Sequence, residues 1–336
     1  MSRESKRIDQ DPEVRAIADT LGLRGPNLKA KICGAAVERV IRRMDALHID
    51  PEKLDDVHAL VLDQTRLRIL RIEVDEDLER YSSKLKQDHP ALPVQLEFEF
   101  ARNTEALVYR NGRADPRAAS YTAVVDARGA RRFRAWFAER HEPAHLLIPD
   151  PANRTAWRRT TVERPEPVEQ VVDEIASRIG FWEPIVLPFL RVALASEPSV
   201  LDAFDATREA LCPGASQEAS YRAFTRLTPF PLCMVRVDLA CRRGDPENDN
   251  GSLALRAKTV LWNDAADEAG IRVWPNFRIP PHSVIHDARD DAFGRNHEGD
   301  DNLAEWRTES GQPLARVRRP IRVTARGPWA TIEVGR

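Results

Sequence analysis

The sequence predicts an α+β protein in which helices and strands are largely segregated along the chain. Residues 12–62 carry apolar side chains at helical spacing, short alternating runs follow between 67 and 125, and strand-forming segments dominate after Pro229 and Pro231. At 336 residues the chain exceeds the ~100–200 residues of a usual single domain. Three segments are expected: a helical N-terminal segment at 1–62, a mixed domain at 63–230 and a β-rich C-terminal domain at 231–336.

In the first segment Val14, Ile17, Ala18 and Leu21 share one helical face, and Ile32, Ala35, Ala36, Val40 and Ile41 share another; Gly25-Pro26 breaks the two helices apart. A helix, turn, helix pattern of this kind is either a plain hairpin or a DNA-reading pair with Asn27 to Val40 as the recognition segment. Leu67 to Val74 then reads as a strand and Asp75 to Leu85 as a helix. Val94 to Phe100 alternates as a half-buried strand should, and Ala106–Tyr109 and Tyr121–Val125 are further short strands. A helix is expected from Ala130 to Ile148, stopped by Pro149 and Pro151, and another from Pro167 to Trp182, with more helix up to Leu227. Beyond it Leu232–Leu239, Leu253–Leu261, Ile271–Trp274, Val317–Val323 and Trp329–Val334 read as strands, with exposed connections at Gly244–Gly251 and near Gly299–Asn302.

Composition narrows the function classes. Fifty-one basic residues nearly balance 53 acidic ones, for a net charge of −2, so no global field draws the chain to nucleic acid or an anionic membrane. The polar start MSRESKRIDQ leads into no apolar run of signal or membrane-spanning type, and a cytoplasmic protein is expected. Cys33, Cys212, Cys233 and Cys241 form no C-x-x-C pair and read as buried thiols.

The chemistry concentrates at His141-Glu142-Pro143-Ala144-His145, an H-E-x-x-H pattern late in a predicted helix. Side chains at i and i+4 project from one face, so His141 and His145 can share one metal ion while Glu142 reaches a water on it as general base. Zinc is the expected ion, because it lowers the pKa of bound water to about 7 and favours peptide hydrolysis. A third ligand is needed, and Glu169, near the start of the next long helix, is the first choice; Asp173 and Glu174 compete, and Glu163 and Glu166 are further candidates. Pro143 removes a helical donor and clashes with the carbonyl four residues earlier, at roughly 3 kcal/mol. A kink near Glu139 is the expected result, which either turns the imidazoles out of register or is absorbed where a metal fixes them.

The run Arg132-Phe133-Arg134 leading into His141-Glu142-Pro143-Ala144-His145-Leu146-Leu147, followed by the Glu169 helix, resembles the ImmA/IrrE family of bacterial metallopeptidases. In that family an R-x-R-F-like segment leads into H-E-x-x-H-x-L, and a later E-x-x-A-N-x-F-A-x-x-L helix supplies the third ligand. Glu169 and Ala176 match, Asp173 stands where asparagine is usual, and Gly214 to Leu227 is similar to a V-S-x-x-A-x-x-x-R-L stretch. Pro143, Val172 and Ile175 depart from the pattern, and the resemblance spans roughly 60–230. It implies a zincin-like core of a small mixed sheet with helices, and a cytoplasmic zinc endopeptidase that cleaves a small DNA-binding repressor to derepress a stress or phage-defence operon. It also implies a C-terminal sensory domain, GAF-like in some members, open to a small-molecule effector. The alternative is an inactive scaffold acting as a regulator or nucleic-acid sensor.

Weaker signals remain. His282 and His286 repeat the i, i+4 spacing without an adjacent glutamate. Arg316, Arg318, Arg319, Arg322 and Arg326 form a basic stretch suited either to single-stranded nucleic acid or to a solvated strand edge. Arg131, Arg132 and Arg134 suit packing or substrate contacts.

Overall fold

The computed structural model describes residues 3–88, 96–101, 104–111, 120–154, 156–160, 166–241, 253–271, 273–291, 293–306, 312–314 and 320–333. It is a mixed α+β structure with two sheets. The chain forms two compact units: Met1–Ile185 with Leu211–Ala219, and Val186–Ala210 with Ser220–Arg336.

The first unit begins with helices α1 (Arg3–Gln10), α2 (Pro12–Thr20), α3 (Leu28–Leu47) and α4 (Leu54–Thr65). Asp11 caps α2, accepting from the N–H groups of Glu13 and Val14 at 3.0 Å, with Pro12 in the first turn where its missing donor costs nothing. Asn27 at the head of α3 is left-handed and gives no side-chain cap. The Asp9 carboxylate takes over that duty, accepting from the N–H groups of Asn27 and Leu28 at 2.8 Å. Ile32, Cys33, Ala36 and Val40 form the buried face of α3.

The four strands β1 (Leu67–Ile72), β2 (Thr104–Arg110), β3 (Tyr121–Asp126) and β4 (Ala156–Thr160) lie in the order β1-β3-β2-β4. β1 and β3 are parallel, and the other pairs are antiparallel. Side chains alternate across a strand, which gives the sheet two apolar faces. Ala106, Val108, Ala123 and Val125 pack with Ala135 and Ala138 of helix α7 (Arg132–Leu146). Leu107, Tyr109 and Val124 point the other way, toward helices α5 (Asp75–Asp88) and α6 (Leu96–Ala101). Helix α8 (Pro167–Gly180) packs against α3 and α7, burying Val168, Val171, Val172, Ile175, Ala176 and Ile179.

The second unit takes most of α9 (Glu183–Ser196), α10 (Val200–Leu211) and α11 (Gln217–Leu227). Its sheet is antiparallel, in the order β6-β5-β9-β8-β7, from β5 (Leu232–Ala240), β6 (Ala254–Trp262), β7 (His297–Asn302), β8 (Pro320–Arg326) and β9 (Trp329–Glu333). Helices α12 (Asp264–Glu268) and α13 (Val284–Asp290) sit between the second and third strands and share a core with the sheet, centred on Phe277, Ile285 and Trp306. Arg326, at the end of β8, reaches Asp202 of α10 at 2.7 Å and also bonds Asp205. The Tyr221 hydroxyl of α11 donates to Asp205 at 2.9 Å, and the Tyr221 ring meets Trp329 edge-on at 5.2 Å.

Several local expectations are corrected. The segment expected as a strand at 94–100 is helical from Leu96, with 94 and 95 outside the described residues. Leu96 and Phe100, four apart, are buried while Phe98 is 52% exposed, so a helix hides the two that matter and a strand would have put all three on one face. Of the expected strand at 271–274, the described residues 271, 273 and 274 are not in a strand: Ile271 and Val273 are buried, but the N–H of Ile271 is spent on the Ala266 carbonyl behind α12. Gly299–Asn302, expected as an exposed connection, belongs to β7, where Glu298 pairs with Arg322 across the strands at 2.6 Å. The expected loop at 244–251 lies outside the described residues. Cys33, Cys212 and Cys233 are buried and unbridged, and Cys241 is half-buried. Among the described residues no single helix is long and apolar enough to cross a membrane.

Asp126 fixes the approach to α7. Its fully buried carboxylate bonds Arg128 at 2.9 Å through each oxygen and also bonds Arg131, whose guanidinium reaches the Phe100 carbonyl. Burial works against its ionisation, but the two arginines outweigh burial and hold its pKa below the usual carboxylate range. Asp126→Asn is therefore expected to cost about 2–3 kcal/mol at neutral pH, read as a shifted urea midpoint. The folded-state pKa is depressed, so this stabilisation is present above the unfolded-state pKa of about 4 and is lost as pH falls toward the folded value. Equal stability of the two proteins at pH 7 contradicts this account.

Candidate metal centre

The far half of α7 is enclosed by the sheet on one side and by α4 and α8 on others. Every residue from Ala138 to Ala144 is buried, and His141 and Glu142 are fully so. α7 continues through Pro143 to Leu146, and the His141 and His145 rings stay 4.8 Å apart between centroids. Their Nε2 atoms lie 3.0 Å apart. Glu169, in the first turn of α8, brings its two oxygens to 3.1 Å from His141 Nε2 and 3.5 Å from His145 Nε2.

Ligand atoms around a tetrahedral ion with bonds near 2.1 Å stand about 3.3–3.6 Å apart. The observed separations lie close to that range, and among the described residues His141, His145 and Glu169 are the group able to hold a metal ion. Burial disfavours the charged form of Glu169, yet hydrogen bonds and charge from both imidazoles keep its pKa far below normal. The carboxylate is thus ionised, as a ligand must be.

Asp173, weighed from the sequence as a competing ligand, stands elsewhere. One turn beyond Glu169, its Oδ1 lies 2.9 Å from Nδ1 of His141, on the side of the ring away from His145 and Glu169. Arg159 donates to the same oxygen at 2.9 Å and touches the ring, while its Nε bonds Glu105 of β2 at 3.0 Å. A carboxylate only accepts, so Asp173 and Glu169 each favour a proton on the ring nitrogen they face; were an ion to replace the Nε2 proton, Asp173 would keep the Nδ1–H and leave Nε2 as the ligand atom. Burial opposes ionisation of Asp173, and His141 and Arg159 overcome it. Burial and Arg159 push His141 down, but bonds to Asp173 and Glu169 and the charge of Glu142 raise its pKa overall. Glu174 pairs with Arg178 at 2.9 Å, Glu166 precedes the first turn of α8, and Glu163 lies outside the described residues.

Glu142 is asymmetric. Trp157 Nε1 donates to its Oε2 at 3.1 Å, whereas Oε1 is buried with no hydrogen-bond partner among the described residues. Leaving a buried carboxylate oxygen unsatisfied is costly, and such atoms mark places where a proton or a water is to be held.

Trp157 and Arg159, two apart on β4, reach the site from one face of a strand that the sequence reading did not identify. The available signal was the five-residue A-W-R-R-T run between proline-rich stretches, too short and too charged for a period-2 pattern. Arg131 serves Asp126, Arg134 lies 3.5 Å from Glu105, and Arg132 stacks on Phe133 at 4.7 Å. His282 is exposed and His286 sits on α13, and among the described residues neither belongs to a group able to hold a metal. Arg322 and Arg326 are engaged by Glu298 and by Asp202 with Asp205; Arg316, Arg318 and Arg319 lie outside the described residues.

Two outcomes follow for metal content. His141→Ala and Glu169→Gln are each expected to abolish stoichiometric binding, Glu142→Gln to retain it, and Asp173→Asn to weaken it about 10- to 100-fold, measured against a chromophoric chelator. Because His141 is raised in the metal-free site, uptake near neutral pH displaces protons and affinity climbs with pH; calorimetry in buffers of different ionisation enthalpy reads that release. A scan of the sequence against protein-family models gives no match, and a search of curated proteins gives none either.

Proposed function

We propose that the chain is a zinc-dependent endopeptidase. The observation that carries this reading is the meeting of His141, His145 and Glu169 beside a buried Glu142 with one oxygen anchored and the other unsatisfied. Bound by those three side chains, zinc would supply the Lewis acidity that makes water nucleophilic near neutral pH and polarises a peptide carbonyl. Two imidazoles and a carboxylate are a donor set suited to it, and three protein ligands leave room for a reactant.

The chain's own residues account for the remaining tasks. Glu142 takes the proton of the attacking water on Oε1 and passes it to the departing amine, while Trp157 prevents its other oxygen from turning away. Asp173, itself held by Arg159, would keep the proton of a neutral His141 ring on Nδ1 and so leave Nε2 to ligate. β4 is one of the two edge strands of its sheet and carries both Trp157 and Arg159, so an extended peptide pairing along that edge would lie beside Glu142.

The resemblance to the ImmA/IrrE pattern supports a substrate of one kind, a small DNA-binding repressor, with cleavage relieving repression of a stress or defence operon in the cytoplasm. The antiparallel sheet of the second unit, with helices inserted between its second and third strands, supports a GAF-like sensory role for the C-terminal part. The test is incubation of the full chain with the small DNA-binding protein encoded nearest to it. Zinc-loaded wild type is expected to cut it at a defined bond and Glu142→Gln to leave it whole, with chelation abolishing the cut. Cleavage by both proteins removes the mechanism. A zinc-loaded chain that cuts nothing under any effector leaves the regulatory scaffold as the better reading.

A further inference from the structure

Pro143 has no N–H, so the carbonyl of Glu139, four residues earlier, loses its helical donor. Glu139 is 7% exposed, and a buried carbonyl without a donor is expensive. A side chain occupies that position: Nε2 of His58, on α4, lies 3.0 Å from the Glu139 carbonyl oxygen. We infer that His58 is a positioning residue whose ring replaces the backbone hydrogen bond removed by Pro143 and so keeps the His141–His145 turn of α7 in register.

The geometry is specific. A carbonyl only accepts, so the His58 ring must present Nε2–H. Asp55, three residues earlier on the same face of α4, bonds Arg140 at 3.2 Å. Arg140 in turn donates to the Trp136 carbonyl at 2.9 Å and lies 3.7 Å over the Trp136 ring. α4 thus holds α7 at Glu139 and Arg140, the two residues directly before His141. Burial and the adjacent Arg140 charge push the His58 pKa down to about 4, so the ring stays neutral in its pocket. Other residues could fill this space, but few combine a rigid ring with a donor at that reach.

The inference deepens the proposed function and rests on it for its metal readout. A double-mutant cycle tests it in the full-length protein with His58→Ala, Pro143→Ala and the pair. Pro143→Ala restores a main-chain N–H to Glu139 and should make His58 dispensable. His58→Ala alone is expected to weaken zinc binding about 10-fold and to speed amide exchange across 141–146 in the metal-free protein. In the Pro143→Ala background the same change should alter affinity by less than about twofold and leave exchange unchanged. If His58→Ala does not fold, His58→Gln and His58→Met replace it: glutamine keeps a donor and should preserve zinc affinity, and methionine should not.

Equal effects of the His58 change in both backgrounds overturn the inference, as does an absence of effect beside Pro143. A wild-type chain that takes up no zinc ends the proposed function instead, and non-additive amide exchange in the metal-free protein then still decides the role of His58.

Discussion

The His141 imidazole is gripped on both of its nitrogens, and much of the first unit exists to make that grip possible. Asp173 takes Nδ1 while Glu169 and His145 converge on Nε2. Both carboxylates come from α8, one turn apart, so the rotation of a single helix about its axis sets the whole site. The buried stripe from Val168 to Ile179 sets that rotation against α3 and α7. At its end Gly180 packs tightly on Arg140: an added Cβ would stand 2.8 Å from Cδ of Arg140 and force that buried side chain to shift. The side chain that steadies α7 and the helix that supplies the acids therefore touch where no further atom fits.

Charge is arranged in a chain rather than a patch. Glu105 on β2 holds Arg159 on β4, Arg159 holds Asp173 on α8, and Asp173 holds His141 on α7. Each link crosses from one element to the next. Buried ions of this sort add little net stability, since desolvation offsets attraction, but they penalise any arrangement in which one member is displaced. Their contribution here is orientation of one ring.

The parts of the site that could be read from sequence were those set by helical periodicity. His141 and His145 are four apart, and Glu169 begins an amphipathic helix, so their convergence needed only that two helices meet. Asp173 was visible as a candidate acid, but whether it faces the metal side or the back of the ring depends on how the two helices cross, which spacing does not encode. Trp157 and Arg159 were hidden because β4 is a brief edge strand without alternating hydrophobicity. His58 was hidden for a different reason: its partner is a main-chain oxygen 81 positions away, and backbone groups leave no mark on side-chain patterns. A related limit explains 94–100, where the alternating run reads as a strand, yet Leu96 and Phe100 are also four apart and only their burial selects the helix.

In the second unit the guanidinium of Arg326 is shared by Asp202 and Asp205, and Asp205 also receives the Tyr221 hydroxyl. These acids precede the composition break at Pro229 and Pro231, whereas Arg326 and Trp329 lie at its far end. A recombinant fragment cut at that break would keep the sheet yet strip away its helical cover, uncovering Trp329 and stranding a cation on an apolar surface. Expression of such a piece would yield sticky, self-associating material, and a usable truncation has to start upstream of Ser199.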